Sequence, residues 1–185
     1  MPAPSPWSLR GVTADLNRRS LHDPNDARVR LYVSQRAAEA CEYCLMPTEA
    51  RFEVDHIVPK ARWTDYQANS YAALRTRQRV TAATYDHISN FAWACFFCNR
   101  YKSGRPRPRG STRLYDPRGD TWTRHFAFSR TKGYVVIVGL TAIGRETVRA
   151  LNFHGGGEEG ALAERATMIG RDLYPPAWLR VAYRI

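Results

Sequence analysis

The chain has 185 residues, 44% of them hydrophobic, and a formal net charge of +11 at pH 7. That length and apolar content suit one domain with a buried core, or one domain with an accessory half, and exclude disorder throughout. Most of the 28 basic residues are arginine, whose planar fork fits phosphate, so the charge favours a polyanionic partner, nucleic acid first, over a merely solubilising surface.

Residues 1–6 read as a Pro-rich arm, and MPAPSPWSL lacks the basic stretch and apolar run of a signal peptide. The longest apolar run, 134–140, is too short to span a bilayer. The expectation is a cytoplasmic protein without membrane contact, in a compartment that favours metal-bound cysteine over disulfide. Helical spacing of Val29, Tyr32, Val33 and Ala37 predicts a helix over 26–40, with Asp26 as N-cap after Pro24. Alternation then predicts a strand over 50–58, with Phe52, Val54 and His56 on one face and Arg51, Glu53 and Asp55 on the other, stopped by Pro59. The stretch 61–84 reads as a largely helical excursion carrying Arg75, Arg77 and Arg79, equally suited to a solvated basic face and to DNA contact. A short strand over 90–94 and a helix from Cys98 to Lys102 follow, and 105–111 is a basic, Pro-rich connector that either tracks a phosphate backbone or serves as an extended linker. Further on, 122–128 and 133–140 read as strands, Thr141 as the N-cap of a helix reaching about Phe153, and 160–171 as a last helix.

Two Cys-x-x-Cys pairs, Cys41/Cys44 and Cys95/Cys98, contain all four cysteines. Each pair spans a tight turn that can aim two sulfurs at one Zn²⁺ ion, and a long separation is no obstacle, since the pairs need only meet in space. Structural zinc is the favoured reading, against disulfides, a labile redox pair or buried free thiols. Between the pairs lies Asp55-His56, followed by Pro59-Lys60. A lone strand histidine is usually a satisfied residue, but a neighbouring carboxylate, with Asn90 and Asn99 beside the second cysteine pair, raises this one. Successive strand residues face opposite ways, so for Asp55 and His56 to serve one site the chain must turn at this point.

The order Cys-x-x-Cys, Asp-His-Ile-x-Pro, Asn, then CFFCNRYK resembles the HNH endonucleases with a four-cysteine zinc site, and LYDPRGDTWTRHFAF and GLTAIGRETVRALN resemble the C-terminal extension of one bacterial group of that family. The likeness covers most of the chain, roughly 29–171. It implies an α+β fold: a ββα-metal core with structural zinc, plus helical and small β-hairpin extensions. The organisation expected from it is an arm and the start of a lead-in helix (1–34), a nuclease core (35–110) carrying an insertion (62–87), and an α/β extension packed on the core (111–185). It also implies hydrolysis of phosphodiester bonds in DNA, RNA not being excluded, with one catalytic Mg²⁺ or Mn²⁺. By motif position, His56 would be the general base, Asp55 and Asn99 the ligands of the catalytic ion, Asn90 the brace of the loop and of His56, and Cys41, Cys44, Cys95 and Cys98 the zinc ligands. The chain departs from the family at 63–84, where many relatives have a Gly-Gly turn.

Elementary chemistry suits these roles. A cation bridging phosphate oxygens stabilises the charge built up in displacement, two protein ligands leave open positions for phosphate and water, and a neutral imidazole accepts a proton at neutral pH. Lys60, Arg100, Lys102, Arg105 and Arg107 are the candidate phosphate contacts; for Arg100 and Lys102 an ordinary basic helix face is an equal alternative. A second Asp-His-Ile triplet, Asp86-His87-Ile88, lacks a preceding strand and a following proline and is assigned to a loop. His125, among Trp122, Phe126 and Phe128, reads as a packed structural residue, and Arg145 and Arg149 receive no catalytic role. The competing class is a non-catalytic, zinc-stabilised nucleic-acid-binding module.

Overall fold

The computed structural model describes residues 23–47, 51–58, 86–102, 113–131, 134–155 and 160–177. Helix α1, Ala27–Arg36, starts where expected: the Asp26 carboxylate accepts from the Arg28 amide at 2.8 Å, satisfying one of the donors that a helix start leaves open. Its buried face is Val29, Tyr32 and Val33. Ala38 and Glu39 then take positive φ angles of 52° and 56°, which end the helix and bring Ala40 into a bridge with Pro47. Inside that bridge the Cys41 amide donates to Met46 O (2.7 Å) and the Leu45 amide to Cys41 O (2.8 Å), folding the first cysteine pair into a tight knuckle.

Strand β1, Phe52–His56, pairs antiparallel with β2, Phe91–Cys95, in a register that sets Phe52 against Cys95 and His56 against Phe91. Helix α2, Phe96–Lys102, follows β2 without a linking residue. One sheet face carries Phe52 and Trp93, stacked at 5.4 Å. It meets α1, whose Arg30 lies 5.4 Å over the Trp93 ring and donates to Phe52 O, while Arg36 donates to Ile88 O (2.9 Å) and Phe91 O (2.6 Å). The other face, with Glu53 and Asp55, lies under α2.

The expectation of a strand over 122–128 is corrected. Trp122–His125 forms one helical turn, α3, and the strand β3 is Phe126–Thr131, paired antiparallel with β4, Tyr134–Gly139. The cause is tertiary: the Trp122 indole N–H donates to Tyr43 O at 2.9 Å and its ring packs 5.2 Å from both Phe126 and Phe128, an anchorage that overrides the strand preference of the aromatic run. Helix α4, Ala142–Ala150, is capped by Thr141, whose hydroxyl accepts from the Gly144 amide. It crosses the hairpin so closely that a Cβ on Gly144 would fall on the His125 carbonyl oxygen. Helix α5 spans Ala161–Gly170. A continuous apolar cluster joins α1, the cysteines and Trp93 to Phe126, Ile137, Phe153, Met168 and Tyr174. The molecule is thus mixed α+β, with two small antiparallel sheets among the described residues. Among those residues no helix is long and apolar enough to cross a membrane. The Pro-rich arm over 1–6, with the rest of 1–22, and nearly all of the 62–87 insertion lie outside them.

Candidate metal centre and the Asp55–His56 strand

Cys41 and Cys44 come from the knuckle after α1, Cys95 ends β2, and Cys98 sits in the first turn of α2. All four are buried free thiols whose sulfurs lie within 4.8 Å of one another, with Cys44 Sγ and Cys95 Sγ at 3.7 Å. A tetrahedral ion with Zn–S bonds of about 2.3 Å separates its sulfurs by roughly 3.8 Å, so the donor set and the spacing fit a metal such as zinc. The same spacing is too long for a disulfide. Hydrogen bonds from Cys41, Cys95 and Cys98 hold the Cys44 thiol well below its ordinary value, and Cys95 and Cys98 are pushed up, Cys95 by its sulfur neighbours and Cys98 by burial. Crowding of this kind makes a second and third thiolate costly without a cation. Among the described residues this is the one group of three or more metal-ligating His, Cys, Asp or Glu side chains close enough to share an ion.

Asp55 is buried under α2, 6% exposed, and its carboxylate is fully engaged. The Tyr43 hydroxyl donates to Oδ2 at 2.7 Å, and the Lys102 ammonium lies 3.1 Å from Oδ1 and 2.9 Å from Oδ2 while also donating to His56 O. Burial, followed by the charge of Asp55, raises the Tyr43 phenol well above its usual range, so it remains a donor. The expectation that Lys102 faces solvent as a phosphate contact is therefore corrected. Position 102 is one helical turn beyond Asn99 on the strand-facing side of α2, and the buried carboxylate captures its ammonium. Asn99 lies over the same sheet face, its amide Nδ2 donating to Glu53. The amide is thereby held over the sheet face that carries Asp55.

The strand does not turn between Asp55 and His56. Both are paired in β1, so their side chains leave opposite faces, and a joint site needs a ligand that reaches around the strand end. His56 packs edge-on against Phe91, ring centroids 5.0 Å apart, and its Nε2 sits 2.7 Å from Asp86 Oδ1. One orienting partner of His56 is thus Asp86, from the triplet assigned to a loop. Asn90 braces the backbone just beyond the strand, as expected: its Oδ1 accepts from the Val58 amide (3.0 Å) and its carbonyl from the Ile57 amide (2.7 Å). His87 caps the short turn Ile88–Asn90, its Nδ1 accepting from the Ser89 amide.

Arg100 is exposed on α2, its guanidinium 5.7 Å from the Phe96 ring. Lys60, Arg105 and Arg107 lie outside the described residues. His125 is buried, with Nδ1 2.6 Å from the Thr141 hydroxyl, as its aromatic neighbours suggested. Arg118 turns inward: it pairs with Glu42, beside Arg36 at 3.6 Å from the same carboxylate, and burial together with the Arg36 charge lowers it to about 9. Sequence reasoning missed Tyr43, Glu53 and Asp86 as partners of the motif residues. For Glu53 the signal was present, because period-two alternation places it on the Asp55 face. For Asp86, thirty residues distant from His56, there was none.

No family model matches the chain, and no curated protein and no solved structure matches it.

Proposed function

We propose that the chain is a metal-dependent endonuclease of the HNH type, which hydrolyses phosphodiester bonds in DNA and is held together by zinc at Cys41, Cys44, Cys95 and Cys98. The observation that carries this reading is the placement of Asp55 and Asn99 on one face of a β1–β2–α2 unit whose ends are tied by the cysteine cluster. A cation held there would neutralise phosphate oxygens in the reaction. His56, braced by Asp86, takes the proton of the attacking water at the strand end, and Asn90 fixes the chain direction beyond it. The net charge of +11 supports a polyanionic substrate. Binding a divalent ion at Asp55 requires Lys102 to leave the carboxylate, and that ion pair also favours a second reading, a zinc-stabilised module that binds nucleic acid without cutting it.

The two readings separate on supercoiled plasmid incubated with Mg²⁺ or Mn²⁺. Nicking by the wild type, lost in His56→Ala and reduced in Asp86→Asn, supports the enzyme. DNA binding by all three proteins, with no cleavage of any DNA or RNA offered, rejects it in favour of the binding module.

A further inference from the structure

Three of the four cysteines are placed by the chain next to them. Cys95 ends β2 and Cys98 lies in α2, so regular structure fixes both. Cys41 is tied within the knuckle, by its amide to Met46 O (2.7 Å) and by its carbonyl, which accepts from the Leu45 amide (2.8 Å). Cys44 is held from outside. The carbonyl of the peptide before it, Tyr43 O, accepts from the Trp122 indole N–H at 2.9 Å. The carbonyl of the peptide after it, Cys44 O, accepts from the Tyr174 hydroxyl at 3.0 Å. That second peptide leads into Leu45, whose φ of 61° a bulky side chain adopts only where the surrounding structure holds it. Trp122, Cys44 and Tyr174 are all buried. The two donors also share a support, the Phe128 ring of β3, whose centroid lies 5.2 Å from that of Trp122 and 5.5 Å, edge-on, from that of Tyr174.

Peptide planes are rigid, so pinning the one on each side of a residue fixes its φ and ψ and with them the direction of its Cα–Cβ bond. In Cys44 that bond aims the sulfur that lies 3.7 Å from Cys95 Sγ. We infer that Trp122, Phe128 and Tyr174 form an aromatic clamp that aims Cys44 at the metal. Trp122 and Tyr174 are then positioning residues of a centre to whose ligand set neither belongs. The inference rests only on the metal-binding part of the proposed function and holds whether or not the protein cuts DNA. It gives the indole N–H and the phenol a use beyond packing, since filling the core around Phe128 would be served as well by phenylalanine at both positions.

The test uses the full chain with Tyr174→Phe and Trp122→Phe, each of which keeps a ring against Phe128 and removes the donor. Thr147→Val is the control: within α4 it deletes a buried hydroxyl that accepts from the Tyr115 amide (2.8 Å) and donates to Ile143 O (2.8 Å). Zinc affinity is read by competition with a chromophoric chelator, and site geometry by the ligand-field absorption of the Co²⁺-substituted protein. The expected result is a loss of about tenfold in zinc affinity for each clamp variant, the lower end of what removing a group that orients a metal ligand costs. Their Co²⁺ bands should shift, whereas Thr147→Val should keep the wild-type affinity and spectrum despite a lower denaturation midpoint. Wild-type zinc affinity in either clamp variant overturns the inference. So does a loss no larger than that of Thr147→Val, which marks a general effect of stability. If one clamp variant does not fold, the other decides by the same comparison. A folded wild type that takes up neither Zn²⁺ nor Co²⁺ removes the metal centre and the inference with it, a failure distinct from that of the clamp.

Discussion

Replacing Lys102 by methionine keeps the length of the side chain and removes the ammonium that Asp55 faces. The carboxylate, 6% exposed, would then keep the Tyr43 hydroxyl at 2.7 Å as its remaining side-chain donor among the described residues. At a separation of 2.9 Å the direct attraction is roughly 6 kcal/mol for an effective dielectric of about 20. Most of that is offset by desolvation of the pair, but removing one partner leaves the other charge stranded, at a cost of about 3–5 kcal/mol. Tyr43 places the expectation at the lower end, about 3 kcal/mol, or a fall in Tm of roughly 6–12 °C for a chain of this size. The double variant Lys102→Met/Asp55→Asn should be more stable than the sum of the single losses by about 2 kcal/mol, since no buried charge remains to be stranded. The assay is thermal unfolding of the four proteins, zinc-loaded, with and without Mn²⁺. If the carboxylate is a divalent-ion ligand, Mn²⁺ should restore much of the loss in Lys102→Met and have little effect on the double variant. A Tm for Lys102→Met within about 1 °C of wild type, or strictly additive losses, would refute the pairing and the reasoning built on it.

Three further outcomes are expected. Cys98→Ser should bind less than one zinc per chain by elemental analysis, and chelation should lower the Tm of the wild type far more than that of the variant. Gly144→Ala drives a methyl group into the His125 carbonyl; overpacking against backbone costs about 1–3 kcal/mol or more, readable as a reduced denaturation midpoint at unchanged slope. Burial alone would raise the Asp120 carboxyl, but the paired Arg113 guanidinium and the Asp116 amide outweigh it and hold Asp120 below its usual value. Such a depressed carboxyl adds stability above its unfolded pKa that is lost as pH falls through its folded pKa. Arg113→Met should therefore be less stable than wild type at neutral pH, with the gap closing in acid; a gap independent of pH assigns the loss to packing.

How much of this was legible depends on how local each cause is. The Asp26 and Thr141 caps and the buried stripe Val29, Tyr32, Val33 follow from side chains within four residues of one another, and sequence reasoning found them. The meeting of the two cysteine pairs was also readable, because a metal reading requires it and so predicts a long-range contact from local motifs. Lys102 was misplaced for the opposite reason. On a helix with net basic character its charge suggests solvent, and only the register of α2 on β1 reveals the carboxylate beneath it. The pairing of Asp86 with His56, and the helical turn at Trp122, depend on contacts that no periodicity encodes.

Those non-local contacts converge on one short segment. Glu42 receives Arg118, Tyr43 O receives the Trp122 indole, and Cys44 O receives the Tyr174 hydroxyl, so three consecutive knuckle residues are each held by a donor from the C-terminal part of the chain. Tyr43 passes the connection on, since the same residue donates its own hydroxyl to Asp55. The knuckle buries Tyr43, Leu45 and Met46 in the core, and without these donors the carbonyls of Tyr43 and Cys44 would be buried unsatisfied. The knuckle is therefore not a self-contained metal-binding turn to which an extension has been added. Its geometry is set by contacts from distant parts of the chain, which gives residues of the C-terminal part a direct path to the cysteine cluster and, through Tyr43, to the buried carboxylate of β1.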